Sequence, residues 1–120
     1  MAKIISLNTF SDQRGSLTVL ERILPFDIKR VYFIYNVDNS VRGGHRHIST
    51  IQAAICIKGS CKIYTNNNEV EDEHLLDSPD KCLILFPEDW HEMSDFSEDA
   101  VLLVLASELF NTEDYIYEKY

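Results

Sequence analysis

The sequence predicts a single all-β domain built as a sandwich or a barrel, and three observations lead to this prediction. Short runs rich in β-branched and aromatic residues recur from one end of the 120-residue chain to the other. Turn-forming residues separate these runs, as in Asp-Gln-Arg-Gly, Lys-Gly-Ser and Asp-Ser-Pro-Asp. No long stretch keeps the 3.6-residue apolar period of a helix. A chain of this length fits one domain, so the predicted domain covers residues 1–120.

Each predicted strand is a short run bounded by turn residues. The seven plainest runs are residues 4–7, 16–21, 28–36, 50–58, 60–65, 82–86 and 101–106. Alternation is clearest in 50–58, where one face would carry Ile51, Ala53, Ile55 and Ile57, and the other Gln52, Ala54, Cys56 and Lys58. Only residues 111–115 are expected to form a helical turn. The chain therefore reads as strand after strand, without a repeat or a linker.

The charge balance limits the partners that the chain can bind. Eleven Lys and Arg residues against twenty Asp and Glu residues give a formal net charge of -9. Nucleic acids and anionic membranes bind to basic surfaces, so neither is expected as a partner. An anionic small molecule would need a local group of arginines, and Arg42 and Arg46 lie together in one short segment.

The cysteines, Cys56, Cys61 and Cys82, are odd in number and lack the C-x-x-C spacing of redox and zinc motifs. Each lies in an apolar run, so we expect buried free thiols rather than disulfides or structural zinc. No apolar stretch approaches the ~20 residues that span a bilayer, and the first residues lack the apolar segment of a signal peptide. A cytoplasmic location is expected.

The most informative segment is Arg42-Gly-Gly-His-Arg-His47. Residues two apart on a strand project from the same face, so His45 and His47 would point together while Arg46 points away. Two imidazoles in one barrel mouth suit either of two chemistries. They can bind a divalent metal, or one can act as a base near neutral pH while the other tunes it. His74 lies in an acidic run of the sequence, and its side chain is expected to be exposed to solvent.

The surroundings of this segment resemble the two signatures of the cupins, which fold as a double-stranded β-helix or jelly-roll barrel. In the first signature, Gln52 stands where an acidic metal ligand is usual. In the second, His91 lies one position before the usual ligand position, which Glu92 occupies. A metal-binding cupin offers three histidines and a carboxylate, so this chain is expected to use its histidines for proton transfer, without a metal or cofactor. A metal held by His45 and His47 with His91 or Glu92 is the alternative.

The chain as a whole resembles the sugar 3,4-ketoisomerases of deoxyaminosugar biosynthesis, which are WxcM-like cupins. The matching segments follow the same order and spacing over nearly the whole chain, and they are residues 12–17, 29–32, 42–47, 59–61, 76–79, 90–93, 95–97, 104–107 and 114–116. One departure is Arg46, because the family usually has alanine between the two histidines. Strand alternation points Arg46 away from the mouth, so little effect on the chemistry is expected.

The resemblance implies a homodimer that acts on dTDP-4-keto-6-deoxy-D-glucose and moves the ketone from C4 to C3. An aminotransferase can then install a 3-amino group. The galacto-forming branch of the family carries an arginine and a histidine where this chain has Arg14 and His91. The gluco-forming branch has tyrosine and arginine there. The resemblance therefore favours dTDP-3-keto-6-deoxy-D-galactose as the product.

A ketone shift between adjacent carbons is an enolisation followed by reprotonation, and the residues can be assigned to these steps. His47 is the leading base and His45 its partner or the acid at the carbonyl oxygen, although their order stays open. The expected substrate-binding residues are Arg14, Arg42, Tyr32, Tyr35, Gln52, Trp90 and His91. Arg42 would meet the pyrophosphate, the phenols an enediolate oxygen, and Trp90 would stack on thymine or wall the pocket. A metal-dependent cupin enzyme and a non-catalytic sugar-nucleotide binding module are the rival functions.

Overall fold

Twelve β-strands and one short 3₁₀ turn make up the protein, whose structure is a computed structural model describing residues 1–120. The strands are β1 (Lys3–Ser6), β2 (Asn8–Asp12), β3 (Gly15–Val19), β4 (Arg30–Ile34), β5 (Arg42–His47), β6 (Gln52–Lys58), β7 (Cys61–Asn66), β8 (Glu71–Leu76), β9 (Lys81–Leu85), β10 (Trp90–Ser94), β11 (Val101–Ala106) and β12 (Tyr115–Ile116). The 3₁₀ turn is Thr112–Asp114, inside the segment 111–115 for which a helical turn was predicted.

Ten of the strands form two antiparallel five-stranded sheets. The first sheet has the order β1-β9-β6-β11-β4, and the second has the order β12-β5-β10-β7-β8. Strands that are distant in sequence are neighbours in both sheets, as when β6 pairs with β9 and β11. The remaining strands, β2 and β3, form a hairpin that pairs with neither sheet. The predicted all-β jelly roll is therefore confirmed.

The main core lies between the two sheets and explains the composition of β6. Ala54 and Cys56 of β6 pack there with Ile63 and Leu76 from the second sheet. The opposite face of β6 carries Ala53 and Ile55, which belong to a second apolar cluster. Residues of the loop between β3 and β4, among them Leu20, Leu24 and Phe26, cover this second cluster. Because β6 is covered on both sides, its sequence is apolar at most positions rather than at every second one.

Three of the strands that sequence patterns did not single out are rich in polar residues. Strand β2 is fully exposed, the first half of β8 is acidic, and β10 contains His91 and Glu92. Each of them is held by backbone pairing with a neighbouring strand. No helix in the structure has the length and apolar character needed to cross a membrane.

The buried thiols are confirmed, and one expectation about a histidine is wrong. All three cysteines are buried and unpaired. His74 is also buried, and its Nε2 lies 3.1 Å from the Thr65 hydroxyl oxygen. The physical reason is strand alternation in β8, which turns His74 inward while Glu73 and Leu75 stay exposed.

Replacement of Gly59 by alanine is expected to destabilise the fold by about 1–3 kcal/mol. Gly59 joins β6 to β7 with φ +70°, and a Cβ there would collide with the Ser97 hydroxyl and lie 2.9 Å from Ala100 Cα. Displacing Ser97 would also break the hydrogen bond that its hydroxyl accepts from the Ser60 amide at 2.9 Å.

Urea denaturation of Gly59→Ala beside Gly44→Ala measures this effect. Gly44 has a similar positive φ, +79°, but the nearest heavy atom to the position its Cβ would take is Trp90 Cζ2 at 4.0 Å. The Gly59 variant should therefore lose more stability than the Gly44 variant. Equal losses would show that the packing around Gly59 contributes nothing.

Candidate active site

Three histidine side chains meet between β5 and β10, at one end of the second sheet. His45 and His47 project from the same face of β5, and their ring centroids are 4.9 Å apart. His91 of β10 pairs with His45 across the sheet, and the centroids of these two rings are also 4.9 Å apart. The His47 and His91 rings are stacked with centroids 6.1 Å apart. We refer to these three residues as the histidine cluster.

The sequence puts Glu92 at the usual ligand position of the cupin signature and His91 one position before it. In the structure, His91 is the residue that faces inward. In the pairing of β10 with β5 the register shifts between His91 and Glu92, because Gly44 is an extra residue on β5, whereas β10 pairs with β7 in unbroken register. Alternation along β10 puts His91 on the same side as Met93, and both line one cavity. Glu92 is only partly buried and projects on the other side of the strand with Trp90. The inward position therefore belongs to an imidazole and not to a carboxylate.

Hydrogen bonds fix which ring nitrogens carry a hydrogen in two of these histidines. His47 Nδ1 lies 2.8 Å from the carboxylate oxygen Oδ2 of Asp114. His91 Nδ1 lies 3.0 Å from the backbone carbonyl oxygen of Asp89. A carboxylate and a carbonyl can only accept, so Nδ1 is the donor in both rings. Their buried Nε2 atoms have no hydrogen-bond partner in the protein, and in the neutral ring each carries a free lone pair.

Burial keeps the histidine cluster neutral at physiological pH. It lowers the pKa of His91 to about 3 and, together with the nearby His47, that of His45 to about 4. Burial also lowers the pKa of His47, although the hydrogen bond to Asp114 acts in the opposite direction. Burial raises the pKa of Asp114, but hydrogen bonds from Thr50, Ser49 and His47 outweigh it and bring the value to about 2. Neutral imidazoles thus face an ionised carboxylate.

Asp114 is a site residue to which sequence reasoning gave no role. It lies 67 positions after His47, in the 3₁₀ turn, and no local pattern links the two residues. The signal in the sequence was only that residues 114–116 match the resembling family. The link becomes visible in the fold, where β12 pairs with the end of β5 and sets Tyr115 opposite His47.

Tyr32 and Gln52 form a second polar pair on the inner face of the first sheet. The Gln52 side-chain amide donates to the Tyr32 hydroxyl at 3.1 Å, which leaves the phenolic hydrogen free to donate elsewhere. Burial, followed by the proximity of Tyr115, raises the pKa of Tyr32, so the phenol stays protonated. Gln52 is 2% exposed and its Oε1 atom has no partner in the protein.

A cavity of about 310 Å³ opens beside the histidine cluster and is rich in positive charge. Its polar and charged lining consists of Arg30, Tyr32, Arg42, His45, His91 and Tyr115. Neither arginine forms a salt bridge, and the Arg30 guanidinium lies 4.6 Å from the centre of the Tyr32 ring. In a chain with a net charge of -9, two unpaired arginines in one cavity favour an anionic ligand. Arg30 was not predicted, although it shares strand parity with Tyr32.

The structure does not bring Tyr35 and Arg14 to this cavity within one chain. Tyr35 is 57% exposed and lies beside Phe33, on the face of the first sheet opposite to Tyr32. Arg14 lies at the turn of the β2–β3 hairpin and forms a salt bridge with Asp12 at 2.7 Å. It lines a larger cavity of about 450 Å³ that hairpin residues alone enclose. That cavity contains no histidine, so its size does not make it the better site.

Trp90 has a structural role in the tail contacts instead of facing the histidine cluster. Its indole nitrogen donates to the Tyr117 carbonyl at 3.0 Å, and the Lys119 ammonium lies 4.5 Å from the ring centre. Arg46 holds the same segment, since it donates to the Glu118 carbonyl and lies 4.1 Å from the centre of the Tyr120 ring. Arg46 therefore points away from the cluster as expected, and it anchors the C-terminal residues across β5 and β10.

The histidine cluster lacks the full donor set of a metal-binding cupin. One nitrogen from each ring lies within 4.8 Å of the other two, so a cation could contact all three. No carboxylate completes the set, because the usual acidic position holds the amide of Gln52 and Glu92 projects to the other side of β10. Three imidazoles alone differ from the set of three histidines and a carboxylate.

Known proteins match this chain over all or nearly all of its length. Residues 1–120 match the family described as FdtA: WxcM-like, C-terminal. The TDP-4-oxo-6-deoxy-alpha-D-glucose-3,4-oxoisomerase of Aneurinibacillus thermoaerophilus is 41% identical over 117 residues, which are 95% of this chain and 84% of that protein.

Solved structures of similar proteins share the fold closely. The QdtA 3,4-ketoisomerase of Thermoanaerobacterium thermosaccharolyticum, solved as a Tyr-to-Arg and Arg-to-His double mutant with TDP, is 44% identical with a TM-score of 0.93, covering 98% of this chain and 87% of that one. A His-to-Asn form of that enzyme, solved with TDP-4-keto-6-deoxyglucose, is 42% identical with the same TM-score and coverage. The WlaRB TDP-quinovose 3,4-ketoisomerase of Campylobacter jejuni is 41% identical with a TM-score of 0.93, covering 98% and 92%.

Proposed function

Since this chain belongs to the FdtA/WxcM-like family of sugar 3,4-ketoisomerases, we propose that it moves the ketone of dTDP-4-keto-6-deoxy-D-glucose from C4 to C3. One observation carries the chemistry of this proposal. His91 lines the cavity with Tyr32 and holds a free lone pair on its Nε2, and the neutral His47 ring, whose Nε2 lone pair is also free, packs against the His45 and His91 rings that line it. A base and a protonated phenol at one cavity are what enolisation of a ketone needs.

His47 is the proposed base. Its Nε2 takes the proton from C3, and the electrons of the broken C–H bond form the C3–C4 double bond while the C4 carbonyl electrons move onto oxygen. Tyr32 donates its free hydrogen to that oxygen and stabilises the enediolate. The C3 hydroxyl proton then passes to the C4 oxygen as C3 becomes the new ketone, and the proton that the histidine cluster took from C3 is replaced at C4 by one from the cluster after exchange with solvent. The reaction is redox-neutral, so it needs neither an external oxidant nor a cofactor.

The positive charge of the cavity suits the pyrophosphate of the proposed substrate. Arg30 and Arg42 line the cavity without salt-bridge partners, and guanidinium groups bind phosphate oxygens through paired hydrogen bonds. Gly43 has φ +87°, and a Cβ there would lie 2.9 Å from the His91 carbonyl oxygen. Only glycine fits this position, so Arg42 and the histidine cluster keep their close spacing.

The proposed product is dTDP-3-keto-6-deoxy-D-galactose. Arg14 and His91 are the residue types of the galacto-forming branch, and the double mutant of the Thermoanaerobacterium enzyme carries the matching exchanges, Tyr to Arg and Arg to His. His91 is 1% exposed and lines the cavity, where its free Nε2 can accept a proton and return it to C4. The configuration at C4 then depends on the ring face that this nitrogen reaches.

The proposed assembly is a homodimer, and its support comes from the β2–β3 hairpin. The hairpin pairs with neither sheet, and its facing residues Phe10 and Leu17 are 64% and 60% exposed. Apolar side chains on a projecting hairpin are typical of a contact surface, and a second copy of this chain is the occupant we propose. Arg14 at the tip of the hairpin would then bind substrate in the partner subunit.

The three free cysteines fit a reducing compartment, and we propose that the enzyme works in the cytoplasm.

Light scattering of the purified protein tests the assembly. A dimer that becomes monomeric in the Phe10→Asp, Leu17→Asp double variant supports it, since two buried carboxylates would oppose association. A wild-type protein that is monomeric at assay concentrations and fully active would contradict both the dimer and the role of Arg14.

The reaction itself is tested by incubating the protein with dTDP-4-keto-6-deoxy-D-glucose in D₂O and following the sugar by NMR. We expect the ketone to move to C3 and deuterium to appear at C4. A sugar that keeps its ketone at C4 and takes up no deuterium at C3 or C4 would overturn the isomerase function and leave a binding module. A gluco configuration in the product would contradict the roles of Arg14 and His91 while the isomerase function stands.

Metal-dependent catalysis is the second candidate function, and the closeness of the three histidine nitrogens is the observation that favours it. Elemental analysis and dialysis against a chelator separate the two. The proposal of metal-free proton transfer requires substoichiometric metal in the active protein and full activity after chelation. Stoichiometric metal, with activity lost on chelation and restored by a divalent ion, would contradict it.

A further inference from the structure

The carboxylate of Asp114 is held more firmly than any other acidic group near the histidine cluster. Its Oδ1 accepts from the Ser49 amide at 2.8 Å and from the Ser49 hydroxyl at 3.0 Å. Its Oδ2 accepts from His47 Nδ1 at 2.8 Å and also from the Thr50 hydroxyl. Each oxygen therefore has two donors, and the residue is 9% exposed. A carboxylate that accepts four hydrogen bonds and has little contact with water stays deprotonated, so it acts only as a hydrogen-bond acceptor.

The backbone fixes Asp114 to the strand that carries His47. The amide of Ile48 donates to the Asp114 carbonyl at 2.9 Å, directly after the end of β5. Asn111 caps the 3₁₀ turn by accepting from the Glu113 amide at 3.0 Å. These hydrogen bonds hold the turn in a fixed position relative to His47. The carboxylate therefore does not need to reorganise when the imidazole changes its charge.

From these contacts we propose that Asp114 is a positioning residue for the reaction, which fixes His47 as the Nδ1–H tautomer and stabilises the imidazolium formed when Nε2 takes a proton. This inference rests on the proposed function, because it assumes that His47 is the base. It adds a residue outside both histidine signatures, and it assigns a chemical task to the C-terminal turn. Asp114 does not touch the substrate in this role, since it acts through His47.

Asp114→Asn is the sharpest test because the two carboxylate oxygens have different partners. The donors on Ser49 require an oxygen at the Oδ1 position, so the amide nitrogen of asparagine takes the place of Oδ2. That nitrogen donates to His47 Nδ1 and forces the hydrogen to Nε2, where the base needs its lone pair. We expect turnover to fall by about 10²–10⁴-fold with KM little changed.

Glu113→Gln is the matched control. It makes the same change of charge at the neighbouring position of the same turn, where the side chain is exposed and touches no histidine. It should keep wild-type turnover. If Asp114→Asn also keeps wild-type turnover, Asp114 is not a positioning residue.

Long-range proton–nitrogen NMR correlations of the histidine side chains give a readout that does not depend on activity. In the wild-type protein His47 should carry its hydrogen on Nδ1, and in Asp114→Asn on Nε2. A wild-type His47 protonated on Nε2 alone would overturn the proposal, even if the variant fails to fold. If the wild-type protein shows the expected tautomer but no isomerase activity, the proposed function fails and the positioning geometry stands.

Discussion

Replacing His47 by asparagine is expected to lower turnover by about 10²–10⁴-fold while the domain stays folded. Asparagine retains an amide N–H that can donate to Asp114, so the carboxylate is not left without its partner. The ring nitrogen Nε2 is lost, and with it the lone pair that takes the proton from C3. Steady-state kinetics on the 4-keto sugar, with circular dichroism as the check on folding, measure both parts of this prediction.

His74→Asn is the matched control for that substitution. His74 is also a buried strand histidine, bonded to Thr65, but it lies in β8, which β7 separates from β10, and it does not belong to the histidine cluster. Its variant should turn over substrate nearly as fast as the wild-type protein. Near-normal turnover in His47→Asn would remove His47 from the role of base and leave His91 or His45 in its place.

The stability of the fold is expected to decrease as the pH falls from about 6.5 toward 4, because buried histidines must take up protons. The pKa of His91 is lowered from 6.5 to about 3 in the folded protein, so the unfolded chain binds this proton first. Its contribution to stability is therefore complete above pH 6.5 and is lost progressively as the pH falls toward 3. For His91 alone the loss at pH 4 is on the order of 3 kcal/mol.

Urea denaturation at pH 7 and at pH 4.5 measures this dependence. His91→Gln removes the titrating ring, so the variant should lose less stability between the two pH values than the wild-type protein does. His45 and His47, whose pKa values burial also lowers, would supply the remaining loss. A wild-type stability that is the same at both pH values would contradict the burial of neutral imidazoles.

The part of the site that depends on strand parity could be predicted from the sequence. His45 and His47 are two residues apart on one strand, so their shared face followed directly from alternation. The same rule separates Tyr32 from Tyr35, which lies three residues later, just after the end of β4, and is exposed beside Phe33. It also turns His74 inward within an acidic run, against the expectation that composition alone suggested.

The rest of the site depends on features that no short segment contains. Alternation along β10 turns His91 inward, but His91 lies opposite His45 only because Gly44 is an extra residue in β5, and the sequence has no local signal for that register shift. Asp114 reaches His47 only because β12 pairs with β5 after the chain has crossed both sheets. Trp90 was expected at the substrate, but the C-terminal residues that cover it are brought there by tertiary contacts.

The buried acceptors of the site have a consequence for how such a protein can evolve. His47 Nε2, His91 Nε2 and Gln52 Oε1 are all removed from the surface without a protein partner, and each such atom costs about 1–3 kcal/mol. Replacements that removed only these acceptors, and kept the hydrogen bonds of His47 to Asp114 and of His91 to the Asp89 carbonyl, would therefore tend to make a more robust but inactive fold. Selection for thermal resistance alone would erode the reaction centre, so the persistence of all three polar side chains in a lineage indicates continued selection for turnover.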